Sequence, residues 1–134
     1  MTDLLKNDAA GKLVLRLTVG GLMLFHGISK LLNPDSVGFI GSKLADAGLP
    51  EILSYAVYIG EIVAPLMIIS GFLSRAGAAL VVANMLFAIL LVHTGDIFAL
   101  NEHGGWRLEL QGFYLFGSLA IIFLGSGRYA ARPG

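Results

Sequence analysis

Three ionisable side chains stand in the most apolar parts of this chain, where charge is costly. His26 and Lys30 are one helical turn apart in "LMLFHGISKLL", and Glu61 follows Tyr58 by one turn in "YIGEIVAPLM". An imidazole and a carboxylate can give and take protons, whereas an ammonium group donates hydrogen bonds. Spacings of three and four residues put each pair on one face of a helix. The sequence therefore predicts a polar cluster between two helices.

Two later apolar segments add polar side chains at their ends. We interpret the whole set as a ligand-binding pocket, because a structural pairing needs only two residues and this chain offers seven. The candidate ligand-binding residues are His26, Lys30, Tyr58, Glu61, His93, Glu109 and Gln111. The alternative interpretation is a structural clamp, in which Glu61 pairs with His26 or Lys30 and locks two helices together.

Asn84 is expected to lie outside this pocket. As an amide in the middle of an apolar segment, it is interpreted as a residue that hydrogen-bonds between helices. Asn84 and His93 are nine residues apart, a spacing that points two side chains to opposite sides of a continuous helix. The two residues are therefore not expected to face one small pocket.

The sequence gives little support for a metal or haem site. The Glu-x-x-His pairs of di-iron bundles are absent from it, and the two candidate haem ligands, His26 and His93, are expected at different depths. A single divalent ion held by His26, His93 and either Glu61 or Glu109 is an open alternative. We expect no metal and no intrinsic cofactor, and a quinone is the candidate ligand.

The composition indicates the medium in which these residues act. The chain is 56% hydrophobic and 13% charged, whereas soluble domains are about 45–50% apolar and about 25% charged. This difference favours a membrane protein. The formal net charge is +0, so no basic surface predicts binding to nucleic acid. The chain has no cysteine, which excludes disulfides and thiol chemistry within it.

Four apolar segments are long enough to cross a bilayer, which takes about 20 helical residues. They are predicted at residues 13–32, 51–71, 75–95 and 108–126. Between the first two, Val37, Ile40 and Leu44 have helical spacing, which predicts a short amphipathic helix at the membrane interface. Pro65 predicts a kink in the second span. The predicted fold is an all-α membrane protein, a four-transmembrane-helix antiparallel bundle that forms a single domain over residues 1–134.

The distribution of basic residues predicts the orientation of these spans. Six of the nine Lys and Arg residues lie on the side that holds both termini and the connection between the second and third spans. Cytoplasmic segments are enriched in Lys and Arg. We therefore expect a multi-pass protein of the bacterial inner membrane with both termini in the cytoplasm. The first apolar segment lacks a small-residue cleavage site and is interpreted as an uncleaved span. The candidate residues then occupy the centre and the outer half of the bilayer.

Several stretches together resemble the DoxX family of small bacterial inner-membrane proteins. In chain order they are "RLTVGGLMLFHGISKL", "GEIVAPLMIISGFLSRAGA", "HTGDIF…GGWRLELQ" and "FLGSGRYA", spread over about residues 13–130. The resemblance implies that His26, Lys30, Glu61, His93 and Glu109 stand at positions the family shares. It also implies a link to membrane-bound oxidoreductases, because the family takes its name from a subunit of a thiosulfate–quinone oxidoreductase.

Two functions follow as hypotheses. The first is a redox-associated membrane subunit with a periplasm-facing pocket for a quinone or similar small molecule, in which His26 and Glu61 bond to the ligand or relay protons. Lys30 would supply positive charge, and His93 and Glu109 would form the rim.

The second hypothesis is a non-catalytic binder or carrier of lipid or another small molecule, or a scaffold for a soluble oxidoreductase. Expected partners are membrane lipid, a soluble or membrane oxidoreductase and a second copy of the chain, but not nucleic acid. Whether this chain catalyses a reaction is left open.

Overall fold

The computed structural model describes residues 5–132, and helices form most of this range. We number them α1 (Asp8–Leu32), α2 (Pro34–Asp46), α3 (Glu51–Ser70), α4 (Ser74–Val92) and α5 (Glu109–Leu124). Among the described residues there is no β-strand, and the predicted all-helical fold is confirmed. The predicted domain of residues 1–134 also includes residues 1–4 and 133–134, which lie outside the described range.

Helices α1, α3 and α4 are long and apolar enough to cross a membrane. They correspond to the first three predicted spans. Helix α5 is apolar but has only 16 residues, a length of about 24 Å at about 1.5 Å per residue, whereas the hydrocarbon core of a bilayer is about 30 Å thick. Helix α2 occupies the connection in which the sequence predicts a short helix.

Local residues explain where these helices begin and end. The side chain of Asn7 caps α1 by accepting a hydrogen bond from the backbone N–H of Ala10 at 3.0 Å. Helix α1 ends at Leu32, before Pro34, which begins α2. The proline ring clashes with the residue that precedes it and disfavours helical backbone at that residue, Asn33. Gly71 has a φ of +78°, a left-handed conformation that glycine adopts readily and that ends α3.

Helices α1, α3, α4 and α5 pack around one apolar core. Its buried residues include Met23, Ile68, Val81, Met85 and Ile121. The exterior is also apolar, with exposed side chains at Phe25, Leu90, Phe113, Phe116 and Phe123. Large exposed apolar surfaces are rare on soluble monomers and typical of proteins that contact lipid or a partner.

Arg16 holds together the end of the bundle that is remote from Lys30. By sequence it belongs to the basic residues at the edge of the first span, but the structure buries its side chain. Its guanidinium donates hydrogen bonds to the carbonyls of Ile68, Ile69, Ser126 and Tyr129 at 2.8–3.0 Å. These carbonyls lie at or just beyond the C-terminal ends of α3 and α5, which carry partial negative charge. Arg16 therefore joins α1 to both helix ends.

Candidate functional site

Glu61 is the centre of a polar network that joins three helices. The residue is only 5% exposed. Lys30 Nζ on α1 donates to Glu61 Oε1 at 2.6 Å, and Asn84 Nδ2 on α4 donates to Glu61 Oε2 at 3.1 Å. A buried carboxylate needs both an opposite charge and hydrogen bonds to offset its lost hydration. Lys30 and Asn84 supply them, and Lys30 is the partner that forms the ion pair.

A backbone irregularity surrounds Glu61. Residues Ile59–Val63 form a π-helical turn within α3, and Pro65 follows two residues after its end. Proline lacks an N–H group, and its ring clashes with the carbonyl four residues earlier, so a regular α-helical turn is disfavoured there. Single π-helical turns occur frequently at functional sites. The region in which Pro65 predicts a kink thus contains a π turn, and Glu61 lies at its middle.

Two glycines let α1 and α4 approach Glu61 closely. Gly27 packs directly on the backbone carbonyl of Glu61, so a Cβ at position 27 would overlap that oxygen. A Cβ at Gly60 would lie 2.6 Å from the Cβ of Asn84, which is closer than van der Waals contact. The short bonds from Lys30 and Asn84 to Glu61 therefore depend on the absence of side chains at both glycines.

A cavity of about 450 Å³ borders the Glu61 network. It lies at the end of the bundle where α1 and α4 finish and α3 and α5 begin, and α2 contributes Phe39 and Ile40 to its wall. Apolar side chains such as Met23 and Val57 form much of the remaining lining. The ion pair of Lys30 and Glu61 therefore clamps two helices and also borders open space, so the clamp and the pocket are compatible interpretations.

Five of the seven candidate residues line this cavity, which we call the polar cavity because ionisable and amide side chains border part of its otherwise apolar wall. They are His26, Lys30, Glu61, His93 and Gln111. The other two lie beside it. The Tyr58 hydroxyl is 3.5 Å from the carbonyl oxygen of Lys30, and Glu109 Oε1 accepts a hydrogen bond from Asn101 Nδ2 at 3.3 Å. Tyr58 thus contacts the backbone next to the ion pair, whereas Glu109 bonds to the loop between α4 and α5 and lines a second groove between α1 and α5. Their role in ligand binding stays a prediction.

His26 packs against an aromatic ring that the sequence reasoning missed. The rings of His26 and Tyr114 meet edge to face, with centroids 5.6 Å apart and an angle of 90° between their planes. Tyr114 is buried and lines the cavity. Its spacing contained a usable signal, because Tyr114 follows Gln111 by three residues and so shares a helix face with it.

Asn84 and His93 both line the cavity, so the expectation that they cannot face one pocket is wrong. Helix α4 ends at Val92, and His93 has φ −117° and ψ 17°, outside the helical range. Because the backbone leaves the helix at this residue, helical periodicity no longer determines the direction of its side chain. His93 Nδ1 lies 3.2 Å from Asp96 Oδ2, which orients the imidazole at the cavity.

A second, apolar opening lies between α1 and α5. This groove has a volume of about 740 Å³, and its walls include Leu15 and Leu22 on α1 and Phe113 on α5. Leu110 and Tyr114 line both the apolar groove and the polar cavity. The two spaces are therefore neighbours with a common wall.

Metal-ligating side chains are not gathered at this site. Within residues 5–132, no group of three or more His, Asp and Glu side chains is placed to hold a metal ion. His26 instead packs on Tyr114, and His93 lies against Asp96. The alternative ion site of His26, His93 and Glu61 or Glu109 is thus not preassembled among the described residues.

Comparison with known proteins places these residues in a family context. The chain matches the DoxX family model over residues 11–94, more than half of its length. The matched stretch contains Lys30, Glu61 and Asn84 and ends before Glu109 and Gln111.

Two relatives cover most of the chain. It is 28% identical over 130 residues to "Uncharacterized membrane protein Rv3486" of Mycobacterium tuberculosis, covering 87% of this chain and 76% of the relative. It is 26% identical over 111 residues to "Putative oxidoreductase CatD" of Bacillus subtilis, covering 82% of this chain and 80% of the relative. No solved structure matches significantly.

Proposed function

Because this chain belongs to the DoxX family of membrane proteins, we propose that it is a redox-associated subunit that binds a quinone or a similar small carbonyl compound. The proposed site is the polar cavity. The observation that carries the proposal is the ion pair of Lys30 and Glu61 on the wall of a largely apolar space of about 450 Å³. This volume lies within the usual range of small-molecule sites, about 300–1,000 Å³.

The chemistry of the lining suits a quinone carbonyl. An ammonium group has three donor hydrogens, and Lys30 uses one of them on Glu61 Oε1, so the same group can also donate to a ligand oxygen. Gln111 and His93 supply further donors at the cavity. The apolar remainder of the wall suits the ring itself. Such a combination of a few polar groups in an apolar pocket fixes the orientation of a small ligand.

The proposed redox role assigns separate sources to protons and electrons. Reduction of a quinone to a quinol consumes two electrons and two protons. His26 and Glu61 are the proposed proton relays, because imidazole and carboxylate groups exchange protons readily. The electrons would come from a partner oxidoreductase. The name of the relative CatD includes the word oxidoreductase, and this supports the association with redox chemistry.

The proposed topology is a four-span antiparallel bundle in the bacterial inner membrane, with both termini in the cytoplasm. Helices α1, α3 and α4 have the required length. The shorter α5 would cross with help from its flanking residues or from local thinning of the bilayer, to which short spans commonly adapt. In this orientation the polar cavity faces the periplasmic half of the membrane, and α2 lies at that interface.

Quinone binding by the purified full-length protein tests the proposal. We expect Glu61→Gln and His26→Ala each to weaken binding of 2,3-dimethoxy-5-methyl-1,4-benzoquinone, measured by calorimetric titration, by at least tenfold. Matched controls are Glu102→Gln and His103→Ala, since both side chains are exposed in the loop before α5. Unchanged affinity in both cavity variants, or equal losses in the loop variants, would refute the assignment.

The second candidate is a non-catalytic binder of lipid or another small molecule, or a membrane scaffold for an oxidoreductase. It is favoured by the completeness of the clamp, because Lys30 and Asn84 already occupy both oxygens of Glu61. Quinone-reductase assays distinguish the two candidates. Co-purification of an oxidoreductase whose activity is insensitive to Glu61→Gln and His26→Ala would favour the scaffold.

A further inference from the structure

The common wall between the polar cavity and the apolar groove suggests what shape of ligand fits them. Tyr114 and Leu110 line both spaces. On the cavity side, Tyr114 contacts the ring of His26, which neighbours Lys30 by one helical turn. A molecule that has a polar ring and an apolar chain could therefore place the ring beside Lys30 and the chain past Tyr114 in the groove.

The groove itself suits an apolar chain. Leu15, Leu22, Phe113 and Phe116 form much of its wall, and these side chains offer no hydrogen bond to a polar ligand. The polar side chains in its lining are Thr18, Trp106, Glu109 and Tyr114, so the apolar part of the wall is the part that suits a hydrocarbon chain. From Leu22 to Leu15 the groove follows α1 for about 10 Å, at about 1.5 Å per residue. The groove therefore extends along the helices rather than ending at the polar cavity.

A competing cleft lies between α3 and α4. It shares Leu53, Asn84 and Phe87 with the polar cavity, and its volume is about 280 Å³. The groove between α1 and α5 measures about 740 Å³, within the usual range of ligand sites of about 300–1,000 Å³, whereas the cleft falls just below it. Volume thus favours the groove as the site of a long chain.

We propose that the groove between α1 and α5 holds the apolar tail of an amphiphilic ligand whose polar ring lies in the cavity. This inference rests on the proposed function and narrows it, because it selects membrane-dissolved quinones that carry a long hydrocarbon chain over small water-soluble carbonyl compounds. It also assigns Tyr114 as the boundary that the ligand passes between ring site and tail site.

The test compares two probes that share one ring. They are 2,3-dimethoxy-5-methyl-1,4-benzoquinone and the same ring with a decyl chain in place of its ring hydrogen. Leu22→Trp fills the groove, and Leu17→Trp is its matched control, because Leu17 lies on the same helix, is 47% exposed where Leu22 is 51% exposed, and is not part of the groove wall. Thr18→Phe provides a second, independent filling of the groove.

We expect Leu22→Trp and Thr18→Phe to raise the Kd of the decyl probe at least tenfold and that of the tailless probe less than twofold. Leu17→Trp should leave both values within twofold of the wild-type protein. Partition of the decyl probe into detergent is common to all variants and cancels in these ratios. Thermal unfolding of each variant identifies any that fails to fold.

The possible failures are distinguishable. If the tailless probe binds and responds to Glu61→Gln, but the groove variants do not weaken the decyl probe, only the tail assignment is overturned. The tail assignment is also overturned if Leu17→Trp weakens binding of the decyl probe as much as the groove variants do. It is overturned as well if only Ala83→Leu, which fills the cleft between α3 and α4, weakens binding of the decyl probe. If neither probe binds the wild-type protein, the proposed function is refuted and the tail site with it.

Discussion

Replacing Lys30 by Met is expected to destabilise the protein more than replacing Lys30 and Glu61 together. The single change keeps a side chain of similar length but leaves the carboxylate of Glu61, which is 5% exposed, with only Asn84 as a described partner. Removing one partner of a buried ion pair costs about 3–5 kcal/mol. Replacing both partners removes the uncompensated charge as well.

A double-mutant cycle of Lys30→Met and Glu61→Gln measures how strongly the two side chains stabilise each other. We expect a loss of about 3–5 kcal/mol in the free energy of unfolding for Lys30→Met. Glu61→Gln should cost less, about 1–3 kcal/mol, because the amide remains uncharged and still bonds to its neighbours. The double variant should lose no more than about 3 kcal/mol, which implies a coupling energy of at least about 1 kcal/mol between the two positions.

Equilibrium unfolding in mixed micelles measures these free energies. Lys12→Met is the control, because Lys12 pairs with the exposed Asp8 at i,i+4 on the same helix, a contact worth about 0.3–0.5 kcal/mol. Additive losses in the double variant would refute the reasoning, since they would mean that Lys30 and Glu61 contribute independently. If Lys30→Met lowered the free energy of unfolding by as little as the control Lys12→Met, the pair would not behave as a buried ion pair.

Two further predictions concern the backbone contacts that support the site. Gly27→Ala should lower the unfolding temperature and weaken binding of the tailless quinone probe at least fivefold, because the new methyl group overlaps the carbonyl of Glu61. Gly21→Ala is the control, since it has open space around it, and equal effects of the two substitutions would contradict the packing. Arg16→Lys should cost at least about 2 kcal/mol in the free energy of unfolding, because an ammonium group cannot reproduce the planar fork that reaches four carbonyls. If thermal unfolding showed the variant to be as stable as the wild-type protein, positive charge alone would suffice to join α1 to the ends of α3 and α5.

Sequence periodicity was sufficient for most elements but not for residues at helix ends. The first three predicted spans correspond to α1, α3 and α4 because long apolar runs with proline or glycine at their ends leave few alternatives. The nine-residue spacing predicts opposite directions for Asn84 and His93 only if α4 continues through His93, whereas the helix ends at Val92. Nothing local in the sequence indicates that four carbonyls from distant segments surround Arg16.

The sequence by itself determined that the chain is helical and apolar, and that His26, Lys30 and Glu61 carry polar groups into apolar helices. These properties depend on composition and on short-range spacing, which any single helix possesses. Only the tertiary structure decided that Glu61 pairs with Lys30 and Asn84, while His26 packs on Tyr114. Those choices depend on how closely whole helices approach, and the approach is governed by contacts between residues that are distant in the chain, such as Gly27 against the carbonyl of Glu61.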